Sequence, residues 1–419
     1  MHSWIDDIEN YKLRFLIRDS HHYLKETFEI IEENLETNQY KVLKGFQQHK
    51  ITENHLIGTT GYGYGDLGRD ALDNVYASVF GAEKGFVRSQ FVSGTHCLSC
   101  CLNALLDGGD ELLYVTGDPY DTLEKVIGIT PHNNSLISRG VEYNSVPLTG
   151  NGKLDFESIG NAIKPNTKVI GVQRSKGYSL RGSIAIAEIE ALVRYVKRIK
   201  DDLIIFVDNC YGEFVESREP ADVGADVVAG SLTKNPGGGL AKTGGYVVGK
   251  GKLVDKVAES LTAPGLGADV GASLQNNLDF FQGFFKSPQV TADSLKTAAF
   301  ASFLAQKLGF DAEPSYADYR YDIVQTITFE DKEKLLAFCQ GIQRHSPINS
   351  FVEPVPDDLP GYHDPVIMAA GTFIQGSSIE LSADAPIRPP YTVFIQGSLS
   401  YEHGRIATSM AFDALLEGK

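Results

Sequence analysis

The spacing of apolar residues changes character twice along the chain. Within Leu24–Leu43, Phe28, Ile31, Leu35 and Tyr40 recur at roughly helical intervals among glutamates. This predicts an amphipathic helix in an N-terminal arm, residues 1–54, packed on a neighbour in this chain or in another subunit. From about residue 55 to 260 short aliphatic runs take over: Glu111–Val115, Lys168–Val172, Leu203–Val207 and Asp226–Ala229. Runs this continuous predict strands buried on both faces of a mostly parallel sheet. Ile189, Leu192, Val193, Val196 and Ile199 fall at i, i+3, i+4, i+7 and i+10, with Arg194, Lys197, Arg198 and Lys200 elsewhere. One apolar stripe and one solvated face predict a crossover helix.

A glycine-rich connection, Thr262–Gly271, opens the remaining region, residues 261–419. Its pattern predicts helices at Leu295–Leu308 and Glu330–Arg344, and strands at Asp322–Thr328, Ser378–Leu381 and Thr392–Ile395. Fewer alternating units there predict a smaller α+β domain beside a large α/β one.

Composition narrows the partners. With 38 basic and 54 acidic residues the formal net charge is −16, which disfavours nucleic acid and anionic membranes as partners. The acidic start MHSWIDDIENYKL does not resemble a secretion signal, and no run approaches a membrane span. The five cysteines, three of them within Cys97–Cys101, form no disulfide framework. They predict small buried residues rather than metal ligands, since no histidine set completes four donors. The expectation is a cytoplasmic protein with no metal.

The chemistry is concentrated at two predicted strand ends. Leu203–Val207 runs into Asp208-Asn-Cys-Tyr-Gly212, and 26 residues after Asp208 stands Lys234, in Ser231-Leu-Thr-Lys-Asn-Pro-Gly-Gly-Gly239. Ligands of α/β sheets bind beyond the carboxyl ends of the strands, so both segments are expected in one crevice. A buried carboxylate requires a cationic partner, and a protonated pyridinium nitrogen is one. An amine on a glycine-flanked loop, beside Ser231 and Thr233, can carry a phosphorylated aldehyde as a Schiff base while the hydroxyls bind its phosphate. Ser93-Gly94-Thr95-His96, at the start of a predicted helix, is a second phosphate element. Tyr120, in Asp118-Pro-Tyr-Asp-Thr122, can stack on a flat ring. Lys242 is the rival amine, but it lacks the S-x-T context, and Ala241 before it breaks the Gly-Lys-Thr of a P-loop.

In this order the segments GYGYGDLGRDAL, VSGTH, DPYDTL, QRSKGYSLRGS, VDNCYGEF, GSLTKNPGGGLAKTGGY and GTFIQGSSIELSADAPIRPPY resemble the fold-type-I pyridoxal-phosphate superfamily. They are most similar to the cystathionine and methionine lyases, in the methionine γ-lyase-like, aluminium-resistance subgroup. The resemblance spans about residues 55–405. It implies a large domain with a mostly parallel, seven-stranded type of sheet, a smaller C-terminal α+β domain, pyridoxal 5′-phosphate as cofactor, and a homodimer or homotetramer with sites at subunit interfaces. By position Lys234 resembles the cofactor-binding lysine, Asp208 the pyridinium partner and Tyr120 the stacking tyrosine. Ser93, Gly94, Thr95 and His96, with Ser231 and Thr233, resemble the cofactor cradle. Tyr62 or Tyr64 resembles a tyrosine that reaches a neighbour's cofactor.

Two departures bear on the substrate. Where the family carries a carboxylate-gripping arginine before Leu-Ser, this chain has Glu380, and Arg388 is the expected replacement. Gln173–Tyr178 lacks the family's Asn-Pro pair. The resemblance favours elimination of a thiol from a sulfur amino acid. A transaminase or aldolase reaction on the same scaffold, or a cofactor-binding stress protein with little turnover, are the alternatives.

Overall fold

The computed structural model describes residues 3–417. Its first long element, α1 (Tyr11–Gln48), is capped by the Asn10 side chain, which accepts from the Leu13 amide at 3.1 Å. Leu13, Ile17, Leu24, Phe28 and Ile31 form its buried stripe. The arm packs on its own chain: that stripe shares a core with Leu295, Ala299, Phe300 and Phe303 of a later helix.

The large layer follows. In chain order it comprises α2 (Leu67–Val79), β1 (Lys84–Arg88), α3 (Gly94–Leu105), β2 (Glu111–Tyr114), α4 (Asp121–Ile127), β3 (Glu142–Ser145), α5 (Phe156–Ala162), β4 (Thr167–Gln173), α6 (Ile186–Ile199), β5 (Ile204–Asp208), β6 (Val227–Ser231), β7 (Gly245–Gly249) and α7 (Gly251–Leu261). The sheet has seven strands in the order β1-β7-β6-β5-β4-β2-β3. Strands β2 to β6 run parallel, and β7 pairs antiparallel with both β1 and β6. Strand residues alternate between two cores. Leu113, Ile170, Ile205 and Val228 face one; Leu112, Val169, Phe206 and Val227 face the other. This is why these strands read as continuous apolar runs, and each such side chain contributes on the order of 1.5–3 kcal/mol on burial.

A single helix of 32 residues, α8 (Asn277–Leu308), joins the two halves. Phe280, Phe281 and Phe284 belong to the core of the large sheet, whereas Leu295 to Ala305 belong to that of the small one. The small layer contains β8 (Asp311–Glu313), β9 (Gln325–Thr328), α9 (Lys332–Arg344), β10 (Val366–Ala369), β11 (Ser382–Pro386), β12 (Thr392–Gln396) and α10 (Tyr401–Glu417). Its five strands are all antiparallel, in the order β10-β11-β12-β9-β8. Among the described residues no helix is long and apolar enough to cross a membrane.

Two expected strands shift. The stretch at Ser378–Leu381 is a turn, and the strand begins at Ser382 with the weak β-formers Ser-Ala-Asp-Ala-Pro. In the run from Asp322, ladder pairing begins only at Gln325, because the Asp322 carboxylate is used locally, accepting from the Ser175 hydroxyl at 2.7 Å and the Val324 amide at 3.0 Å.

Candidate active site

Antiparallel pairing gives the small sheet two distinct faces. Ile367, Ala383, Ala385, Val393 and Ile395 point into the core beneath α8, α9 and α10. Met368, Ser382, Asp384, Phe394 and Gln396 point the other way and form one wall of a cavity of about 430 Å³. The opposite wall is the carboxyl edge of the large sheet. Asp208 ends β5, Ser231 ends β6, and Gln173 ends β4.

Ser93, Gly94, Thr95, Tyr120, Asp208, Ser231, Thr233 and Lys234 all line this cavity. Lys234 is half-buried, with its Nζ 4.0 Å from the centre of the Tyr211 ring. Burial opposes its charge, but Cys210, Tyr211 and Asp208 outweigh that and hold the amine above its ordinary value. At Asp208 burial pushes the carboxyl up, opposed by Lys234 and by the Cys210 amide, which donates to Oδ1 at 3.1 Å. A cationic ring nitrogen beside Asp208 adds to that opposition and keeps the carboxylate ionised.

The phosphate-type elements converge as well. Ser93 caps α3, its hydroxyl accepting from the His96 amide at 3.1 Å. The Thr95 and Thr122 hydroxyls lie 2.7 Å apart, and those of Ser231 and Thr233 lie 3.0 Å apart. A Cβ added to Gly94 would stand 3.3 Å from Ser231 Cβ, so glycine lets the helix start approach the second hydroxyl pair. A helix N-terminus beside four hydroxyls, one half-buried amine and one buried carboxylate is a set that fits a phosphorylated pyridine aldehyde.

Four residues named from the sequence do not line the cavity. His96 closes its own turn, its Nδ1 accepting from the Val92 amide at 3.2 Å. Tyr62 and Tyr64 lie against each other on the surface, 77% and 65% exposed. Arg388 sits in a separate recess of about 180 Å³, bonded to Asp364 at 2.9 Å and donating to the Tyr178 carbonyl at 3.3 Å. It lies two residues beyond β11, past the strand whose face lines the cavity. Glu380 is also directed away, accepting from the amides of Phe373 and Ile374 at 2.8 and 2.9 Å. Among the described residues no arginine lines the cavity; its cations are Lys234 and Lys242, and Lys242 is paired with Asp279 at 2.6 Å.

Sequence reasoning missed several lining residues. Tyr211, three residues past Asp208, was within sight as part of the same strand-end turn. Tyr178 and Tyr362 come from loops, and Asp384 from a strand whose alternating residues are too small to announce a strand.

The methionine gamma-lyase family model matches residues 14–416. The chain belongs to the methionine gamma-lyase family. It is therefore a lyase of a pyridoxal-phosphate-dependent family of fold type I. A Listeria monocytogenes protein, named as a candidate cystathionine beta-lyase involved in aluminium resistance, is 49% identical, superposes with a TM-score of 0.94, and covers 96% of this chain and 100% of its own. The carbon-sulfur lyase involved in aluminium resistance from Clostridium novyi is 45% identical, with a TM-score of 0.93 and 96% coverage of both chains. At 16% identity, the pyridoxal-5′-phosphate-dependent protein YhfS of Escherichia coli shares the fold, with a TM-score of 0.62 over 93% of this chain and 97% of that one.

Proposed function

We propose that this methionine gamma-lyase family member binds pyridoxal 5′-phosphate in the cavity and cleaves the carbon–sulfur bond of a sulfur amino acid. The reading rests on one observation: Lys234 and Asp208, distant in sequence, line the same ring-sized cavity and act on each other electrostatically.

Lys234 would hold the aldehyde carbon, Asp208 the ring nitrogen, Tyr120 one ring face, and Ser93, Gly94, Thr95, Ser231 and Thr233 the phosphate. Bound there, the group supplies an electron sink for a carbanion at the substrate α-carbon. The Lys234 amine would take the substrate α-proton and return a proton later. Asp208 keeps the ring nitrogen protonated because a buried carboxylate is costly without that cation. Tyr211 positions the amine from below. Neutral donors at Gln375, Ser378 and Gln396 face the substrate where the family's arginine is absent. Burial and the neighbouring Tyr362 push the Tyr120 phenol well up, so it stays protonated and can donate.

A second copy of the chain, in a homodimer or a dimer of dimers, would cover the exposed Tyr62–Tyr64 loop. That loop is tied to the cavity mouth: Tyr62 accepts from the Gly271 amide at 2.9 Å, and Gln90 donates to Ala272 at 2.8 Å, two residues before the exposed, cavity-lining Val92.

The test is a panel of cystathionine, cysteine and methionine, followed by thiol and 2-oxo acid release. Equimolar thiol, ammonia and 2-oxo acid from at least one of them is expected. Conversion of the cofactor to its amine form without thiol would instead indicate a transaminase.

A further inference from the structure

The substrate end of the cavity contains a carboxyl that the proposed lyase chemistry leaves unused. Asp384 lies on the cavity face of β11, opposite Phe394 in the ladder, and is 8% exposed. Its Oδ2 accepts from the Gln396 amide at 2.5 Å, and the neighbouring Tyr178 phenol works against the upward push of burial on its carboxyl. It forms no salt bridge among the described residues, and neither cavity cation is available to it: Lys234 is engaged by Asp208, Cys210 and Tyr211, and Lys242 by Asp279.

Around this carboxyl stands an aromatic enclosure. The Tyr178 ring lies 5.6 Å from Tyr120, 5.6 Å from Tyr362 and 5.1 Å from Phe394. The Tyr120 and Tyr362 hydroxyls are hydrogen-bonded to each other, which fixes both rings. The Ser382 hydroxyl, 2% exposed on the same strand face as Asp384, has no hydrogen-bond partner among the described residues. A buried orphan hydroxyl in a binding cavity is a group waiting for a ligand atom.

We infer that Asp384, its tyrosine enclosure and Ser382 form a subsite for a second ammonium group, carried on the side chain of the substrate. The inference rests on the lyase reading for where the reacting end of the substrate lies. Electron-rich rings lining the cavity beside it attract a cation, a carboxylate neutralises it, and an orphan hydroxyl accepts one of its N–H bonds. A neutral thioether tail would leave the Ser382 hydroxyl unpaired and bring the carboxylate no counter-charge. Burial pushes the Asp384 carboxyl up to about 7, against Tyr178 and Gln396. An arriving ammonium reverses that direction and holds the carboxylate ionised.

The test compares S-(2-aminoethyl)-L-cysteine with S-propyl-L-cysteine, which match in length and differ in a terminal ammonium against a methyl. Calorimetric Kd and kcat/KM are measured on the cofactor-loaded wild type and on Asp384→Asn. Wild type is expected to favour the aminoethyl compound by about tenfold or more in both quantities. Asp384→Asn should bring the ratio near one, chiefly by weakening the aminoethyl compound. Equal affinity in the wild type, binding of neither compound, or equal losses for both in the variant would overturn the subsite. The wild-type comparison stands alone if the variant does not fold. Preferential binding without cleavage would leave the subsite standing and remove the lyase reading; cleavage without discrimination would do the opposite.

Discussion

The two walls of the cavity are built on different principles. The cofactor wall is a row of strand ends and loop starts, where Asp208, Ser231 and Lys234 project beyond a parallel sheet. The substrate wall is the flat face of an antiparallel sheet, where Met368, Asp384, Phe394 and Gln396 stand side by side. Groups at strand ends can be replaced only with loss of the chemistry. Groups on a sheet face sit in a regular grid, and changing one re-shapes the substrate while leaving the cofactor in place. The contrast shows how a chain can keep its strand-end groups while the sheet face opposite them varies.

The comparison breaks most visibly at Asp208. Asp208→Asn cannot hold the proton on a ring nitrogen, and a fall in kcat of about 10³-fold is expected; stopped-flow assay with the cofactor saturating checks it. A loss under tenfold would mean that the ring nitrogen lies elsewhere. The phosphate side is softer. Ser231→Ala removes one hydroxyl from the Ser231–Thr233 pair, and cofactor Kd by fluorescence titration should weaken about 10- to 100-fold, the worth of one hydrogen bond to a charged group.

Beneath the cofactor wall lies Glu213, fully buried, its Oε1 accepting from the Tyr246 hydroxyl at 2.9 Å and its Oε2 without a partner. Burial pushes this carboxyl up to about 8, opposed by hydrogen bonds and by Lys234. The folded chain therefore holds a proton that the unfolded chain has released, and stability falls as pH rises from the ordinary carboxylate value toward 8. Glu213→Gln removes that dependence. By calorimetry its melting temperature should drop less than that of the wild type between pH 6 and pH 9, by about 2 °C. An identical drop would place Glu213 in contact with solvent. The smallest effect belongs to Arg388. Its ion pair with Asp364 is half exposed and outside the cavity, so Arg388→Ala should alter kcat/KM by less than about twofold and stability by about 1 kcal/mol or less.

Legibility in the sequence follows the same division. Asp208 and Lys234 were readable because burial at a strand end and a glycine-flanked amine each demand a partner, and the topology supplies the meeting point. The parallel strands were readable because both their faces are buried. The substrate wall was not, since Ser-Ala-Asp-Ala-Pro alternates but carries too few large apolar residues to announce a strand. Arg388 was chosen for its chemistry alone, and chemistry carries no direction: two residues beyond the strand end the chain has left the cavity face. Tyr178 and Tyr362 approach from separate loops, a proximity that no local pattern encodes. The N-terminal arm was recognisable as a helix, but its choice of α8 as partner depends on a second apolar stripe far along the chain.

The central claim is that Lys234 is the residue to which the cofactor attaches. Borohydride reduction of the cofactor-loaded protein, followed by proteolysis and mass spectrometry, tests it directly. The account predicts a single pyridoxyl mark, on the peptide containing Ser231-Leu-Thr-Lys234, and its loss in Lys234→Ala. A mark on Lys242, or one that persists in Lys234→Ala, would contradict it.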